Sequence, residues 1–430
     1  MNSIDELNKR RIFIISALAI FTSGLSFALR GAVAGDVQSI YFDPIASGNS
    51  GVMIGEILGI AFLGFAVVLF FGSPILNIIG IGRMLWLAAT SFLVGTLITV
   101  FAPLFVEGRD VFWALWIGMG LTGVGWGFTE CAINPLTSAI YPTEKTRRLN
   151  MLHAWWPAGI VVGGVASLGL DVMTTSWAVK FSIIIIPTVV FAFLLINMSF
   201  PVTERAADGV TFKTMITEIS RTPSFLIWFI AMFLTAATEL APGQWVDITL
   251  SHTIGMPGII ILIYVSSIMF CMRHFAGTLA KKLSNVGLLL SSCVLAAIGV
   301  FLLSMAEGPV SALFAATIWG AGVCLLWPTM LSTTSERYPK GGEWFMGLMG
   351  SAGSLSIYFV LPELGNIFDR AKIEAAGSEG IYASLQGGAL ENVLVKAAQT
   401  SFQSITIFPM ILILLFALIF IYDKRRRVKA

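Results

Sequence analysis

Apolar runs long enough to cross a hydrocarbon layer recur along almost the whole chain, and no other feature limits its fold as strongly. About 20 residues of helix span a bilayer core. Such runs fall near 12–40, 51–71, 84–106, 111–141, 150–172, 178–200, 223–248, 257–280, 285–306, 310–335, 343–368 and 400–422. In lipid every backbone N–H and C=O must be satisfied internally, which makes helices the structure for runs of this length. Charge agrees: only 12% of the 430 residues are charged and 57% are hydrophobic, whereas a water-facing domain carries about 25% charge. The sequence predicts an all-α membrane protein with twelve transmembrane helices.

Lys9, Arg10 and Arg11 stand directly before the first run, which is too long for a signal-peptide core, so that helix is expected to stay with its N-terminus cytoplasmic. With an even number of spans, Arg83, Arg148, Lys213, Arg221, Lys282, Arg337 and the basic tail from Lys424 fall on the same side, the bias expected of cytoplasmic loops. The expected location is the plasma membrane (the inner membrane in a prokaryote), multi-pass, with both termini cytoplasmic. The chain is expected to be a monomer whose partners are the lipid bilayer and a small-molecule solute, with no nucleic acid. Cys131, Cys271, Cys293 and Cys324 lie within predicted helices without metal or disulfide spacing, so packing is their expected role. His153, His252 and His274 sit on separate segments. No metal, cofactor or enzymatic activity is expected.

A polar segment at 201–222 divides the spans six and six. The expected organisation is an N-terminal bundle over 1–200, a cytoplasmic linker over 201–222, and a C-terminal bundle over 223–430 with an external loop at 370–398. This is the plan of carriers built from two parallel repeats. Trp126-Gly127 is followed by Pro135, and Trp319-Gly320 by Pro328 at the same spacing, each in the fourth helix of its half.

Ionisable groups at mid-membrane are candidate functional residues. Arg30, Glu130 and Glu239 lie too deep to reach the headgroups, while Asp36, Glu56 and Arg273 are near enough to helix ends to do so. Trp126, Glu130 and Asn134, spaced four apart, share one helical face. That face offers a polar solute an apolar wall with hydrogen-bonding groups beside it. Thr235 and Glu239 share a face of helix 7, with Gln244 and Trp245 further out. The competing reading is an interhelical network that only holds the bundle together. Arg30 is a permanent cation, so a carboxylate or the substrate must answer it, and Glu130 is the expected partner.

Within residues 125–164, Gly125, Gly127, Glu130, Asn134, Pro135, Arg148, Asn150 and Gly159 resemble the signature of the fucose–proton symporter family of the major facilitator superfamily. Ala237-Thr238-Glu239, Phe275 with Gly277-Thr278, Pro328-Thr329 with Ser332, and Pro362, Gly365 and Asp369 resemble further patches of it. The resemblance implies the major facilitator fold in two six-helix bundles, and a sugar or similar polyol as substrate. The family's Asn-Asp pair on helix 1 is replaced by Arg30-Gly31, with Asp36 further out, and its Gln and Asn on helix 5 by His153 and Trp156.

The expected function is secondary active transport of a small polar solute, a sugar or polyol, by alternating access with proton or sodium coupling. Arg30, Asp36, Glu130 and Glu239 are the expected coupling residues. Glu130, Asn134, Trp126, Glu239, Gln244, Trp245, His153, Trp156 and Trp327 are the expected substrate contacts. The alternatives are an organic-anion transporter using Arg30 and a non-transporting sensor on the same fold.

Overall fold

The computed structural model describes residues 6–46, 48–141, 145–173, 175–201, 212–273, 275, 279, 282–338 and 341–429. The first bundle holds α1 (Glu6–Val37), α2 (Ser50–Ile79), α3 (Ile81–Phe101), α4 (Arg109–Ile140), α5 (Trp155–Val172) and α6 (Trp177–Leu195). The second holds α7 (Phe225–Ile254), α8 (Ile259–Arg273), α9 (Asn285–Ser304), α10 (Pro309–Thr334), α11 (Gly342–Ala376) and α12 (Ile407–Lys429). Among the described residues α8 is the short member, an apolar helix of 15 residues; the other spans are long and apolar enough to cross a membrane. Twelve crossings return the C-terminus to the face on which the chain starts, here termed the terminus face. Residues 202–211 of the expected linker lie outside the described residues; its remainder includes a helix, Phe212–Arg221.

The segment 370–398, expected as an external loop, is helical. α11 runs on to Ala376, and Glu379–Ser384 and Gly387–Ser404 follow. At 1.5 Å per residue the 35 residues of α11 reach about 50 Å, well beyond a hydrocarbon core. Polarity is the ground for expecting a loop. It does not oppose a helix, since Ala, Glu, Lys and Leu are all good helix formers.

Glycines fix how closely the helices approach. A Cβ on Gly123 of α4 would sit 1.8 Å from the Ala61 carbonyl oxygen of α2, and one on Gly159 of α5 2.2 Å from that of Phe21 on α1. In lipid such backbone-to-backbone packing replaces the hydrophobic drive that water supplies to soluble cores. Gly123→Ala should therefore lower stability by about 2 kcal/mol or more, read as a fall in melting temperature in detergent. Gly169→Ala, which meets nothing within 4 Å, should leave it unchanged.

Among the described residues the bundles meet chiefly through α1 with α7, α2 with α11, and α5 with α8. On the face away from the termini they pack tightly. Gly55 of α2 lies against the Leu361 carbonyl of α11, and Gly164 of α5 against Ile263 of α8. At the start of α2 the Asp369 carboxylate accepts the Gly51 N–H at 3.3 Å and the Val52 N–H at 3.0 Å. A carboxylate suits the partial positive charge of a helix N-terminus. Lys372 balances it at 2.6 Å and also donates to Ser50 Oγ at 3.3 Å. Both charges are buried, so the far face is closed by a paired, hydrogen-bonded contact between the bundles.

Candidate functional site

A cavity of about 540 Å³ lies between the bundles, on the terminus-face side of this seal. It is lined by Ser23, Phe62, Phe65, Trp126, Glu130, His153, Trp156, Glu239, Leu240, Arg273 and Trp327.

One wall is polar and belongs to the first bundle. Asn134, one turn beyond Glu130 on α4, donates through Nδ2 to Glu130 Oε2 at 2.8 Å. With its amide nitrogen so engaged, Asn134 presents Oδ1 to His153 Nε2 at 2.9 Å. An amide oxygen only accepts, so His153 is the donor. The result is a chain of carboxylate, amide and imidazole along one side of the cavity. No cation pairs with Glu130 among the described residues. Arg30, its expected partner, does not reach it.

The opposite wall comes from a break in α10. Pro328 has no N–H, so the carbonyl four residues earlier, that of Cys324, loses its helical donor. The helix separates there into Pro309–Val323 and Leu326–Arg337. Two side chains answer the freed groups. Arg273 Nε donates to the Cys324 carbonyl at 3.3 Å. Glu239 Oε2 accepts the Trp327 N–H at 3.2 Å, capping the second half. The two charges also face each other, Arg273 Nη2 to Glu239 Oε1 at 3.5 Å, and Arg273 Nη1 reaches across to the His153 carbonyl at 3.2 Å. Arg273 lies near enough to a helix end in the sequence to reach the headgroup zone; it is instead buried beside the cavity and links the two bundles. Its signal in the sequence was the proline that frees a carbonyl for it to hold.

Aromatic rings close the cavity toward the far face. Trp126 lies over Phe27 at 6.1 Å in a stacked arrangement and meets Phe62 edge-on at 5.3 Å, while Trp156 packs against Phe27 at 5.2 Å. Phe62, Phe65 and Ser23 were not among the expected residues; as ordinary members of apolar runs they carried no distinguishing signal.

Five expected site residues are not in the cavity lining: Asn134, which backs Glu130, Arg30, which lies behind the Trp126 and Phe62 rings, and Trp245, Gln244 and Asp36. Trp245 is fully buried inside the second bundle, its Nε1 donating to Ser401 Oγ at 3.0 Å. Gln244 is also fully buried and donates to the Phe27 carbonyl at 2.8 Å, a contact that holds α7 to α1. Asp36 pairs with Lys180 of α6 at 3.1 Å, and Lys180 also pairs with Asp171. These placements follow from helix rotation: each residue shares a helix with cavity residues but sits on another face or nearer the end.

Two six-helix bundles around a cavity with ionisable groups on its walls, packed shut on one face of a membrane-spanning protein, are the arrangement of a solute transporter. The sequence bears this out: residues 12–360 match the model of the Major Facilitator Superfamily, and the chain belongs to that superfamily. No curated protein matches the sequence. Among solved structures, the xylose transporter XylE from E. coli, in a partially occluded inward open conformation, superposes with a TM-score of 0.73 at 14% identity, over 95% of this chain and 97% of that one. The nucleoside transporter NupG gives 0.67 at 14% identity, over 98% and 99%. FucP, in an outward conformation, gives 0.54 at 16% identity, over 92% and 99%. At such identities the likeness is one of fold.

Proposed function

We propose that this protein is a proton-coupled symporter of a small polyhydroxylated solute, a sugar or close relative, in the manner of the fucose–proton symporter family. It works by alternating access in the plasma membrane with its termini cytoplasmic. The observation that carries this reading is Glu130: a carboxylate at the cavity, hydrogen-bonded through Asn134 to His153, within the field of Arg273 but in no ion pair among the described residues. A cavity carboxylate that is not locked in an ion pair offers the site for a transported proton that a symporter requires. The groups around it favour a proton over sodium. Hard cations are held by several converging oxygens, and here Glu130 meets an amide nitrogen while Asn134 Oδ1 is taken by His153. Trp126, Trp156 and Trp327 supply ring surface suited to the C–H faces of a pyranose. The fold's likeness to xylose and nucleoside transporters supports the same substrate class.

The test is transport by the purified protein in liposomes of labelled xylose, glucose and a ribonucleoside. An alkaline interior should drive uptake of at least one of them, collapse of the gradient by a protonophore should stop it, and replacing sodium by choline should change nothing. Uptake that ignores the pH gradient would remove proton coupling. Solute that binds without any counterflow would identify a sensor.

A further inference from the structure

Arg30 has no part in the arrangement described so far, and its surroundings are unusual. The side chain is completely buried, and none of Nε, Nη1 and Nη2 meets a hydrogen-bond acceptor. Its contacts are ring faces: the guanidinium carbon lies 4.2 Å from the centre of the Trp126 ring and 5.3 Å from that of Phe62. Two more donors there are unspent, the Ser26 hydroxyl one turn earlier on α1 and the Trp126 indole N–H. Other charges nearby along the same helix are committed, Asp36 being paired with Lys180. The attraction of a cation to ring faces is smaller than the cost of burying a charge without a hydrogen-bonded partner. Packing alone does not account for Arg30.

The position of this group suggests what answers it. Trp126 and Phe62 also line the cavity, so Arg30 lies directly behind that aromatic wall, toward the far face. On its other side α1 is closed by α7, through Gln244 on the Phe27 carbonyl and through Gly31, whose missing Cβ would lie 3.1 Å from the Gly243 carbonyl oxygen. Both contacts run between bundles, so they must part when the far face opens. Arg30 then borders the entry route, in a cluster whose unpartnered groups are mostly donors, with Gln244 Oε1 an unpartnered acceptor across from it on α7. That chemistry matches an oxyanion, and the planar fork of a guanidinium matches a carboxylate best.

We propose that Arg30 receives an acidic group carried by the solute, which makes the substrate a sugar acid: carboxylate on Arg30, ring against Trp126, hydroxyls toward Glu130. This rests on the polyhydroxylated-solute reading above and narrows it. It has an electrical consequence. A carboxylate entering with one proton on Glu130 moves no net charge, whereas a neutral sugar entering with one proton moves one.

The experiment measures binding of glucuronate and glucose to the purified protein by calorimetry, in wild type and Arg30→Gln. It then compares glucuronate uptake into liposomes driven by a pH gradient with uptake driven by a potassium diffusion potential. Glucuronate should bind at least about tenfold more tightly than glucose, a difference of about 1.4 kcal/mol. Arg30→Gln should bring the ratio to about one. Uptake should follow the pH gradient and ignore the potential. Equal wild-type affinities, or a ratio unchanged by Arg30→Gln, would overturn the assignment. Should Arg30→Gln fail to fold, the wild-type ratio and the response to potential decide. If neither sugar binds but lactate does in an Arg30-dependent way, the acid receptor stands and the polyhydroxylated reading falls.

Discussion

Glu130→Gln is expected to abolish solute accumulation while leaving exchange intact. With the liposome interior one pH unit more alkaline, symport of one proton with each neutral solute can sustain about tenfold accumulation, because one pH unit is 1.36 kcal/mol and that energy is a tenfold ratio. The substitution keeps the size of the side chain and its hydrogen bond to Asn134 but removes the site for the proton. The accumulation ratio should fall to about one, whereas counterflow of labelled against unlabelled solute, which needs no net proton movement, should continue. A mutant that still accumulates solute against its gradient would take Glu130 out of the coupling step. Loss of counterflow as well would place Glu130 in solute binding instead.

The second large effect concerns the break in α10. Arg273→Ala should destabilise the protein by about 3–5 kcal/mol, because it leaves Glu239 buried without its counter-charge and the Cys324 carbonyl without its donor. Glu239→Gln in the same background should recover a large part of that loss, since the buried charge disappears and the amide oxygen can still accept the Trp327 N–H. The measurement is a double-mutant cycle on unfolding in detergent, with coupling read as the departure from additivity. Losses that simply add would show that the two side chains act on α10 independently.

Much of the architecture was legible before any coordinates. Length and apolarity locate the spans because the bilayer imposes one thickness on all of them. The polar segment near 201–222 marks the division into halves. The spacing of Trp126, Glu130 and Asn134 put a carboxylate and an amide on one face of α4, and in the structure the two are hydrogen-bonded. Helical periodicity fixes that relation within a single element. Relations between elements were not legible. Arg30 and Glu130, opposite charges on neighbouring helices, looked like partners, yet Arg30 lies against the Trp126 ring. Trp245 and Gln244 share a helix with Glu239 but turn into packing contacts.

The sequence by itself determined the class of the protein: a polytopic helical membrane protein in two halves, with a short list of ionisable residues that lipid would not tolerate without a purpose. It could do so because hydropathy, charge placement and helical spacing are properties of one segment at a time. The tertiary structure decided which of those residues meet. It joined Glu130 to Asn134 and His153, set Arg273 and Glu239 on the two sides of a proline break, and left Arg30 behind a wall of rings. Rotations and axial shifts of a few ångströms between helices settle such matters. They arise from glycine contacts and side-chain packing among segments far apart in the chain, which no single segment encodes.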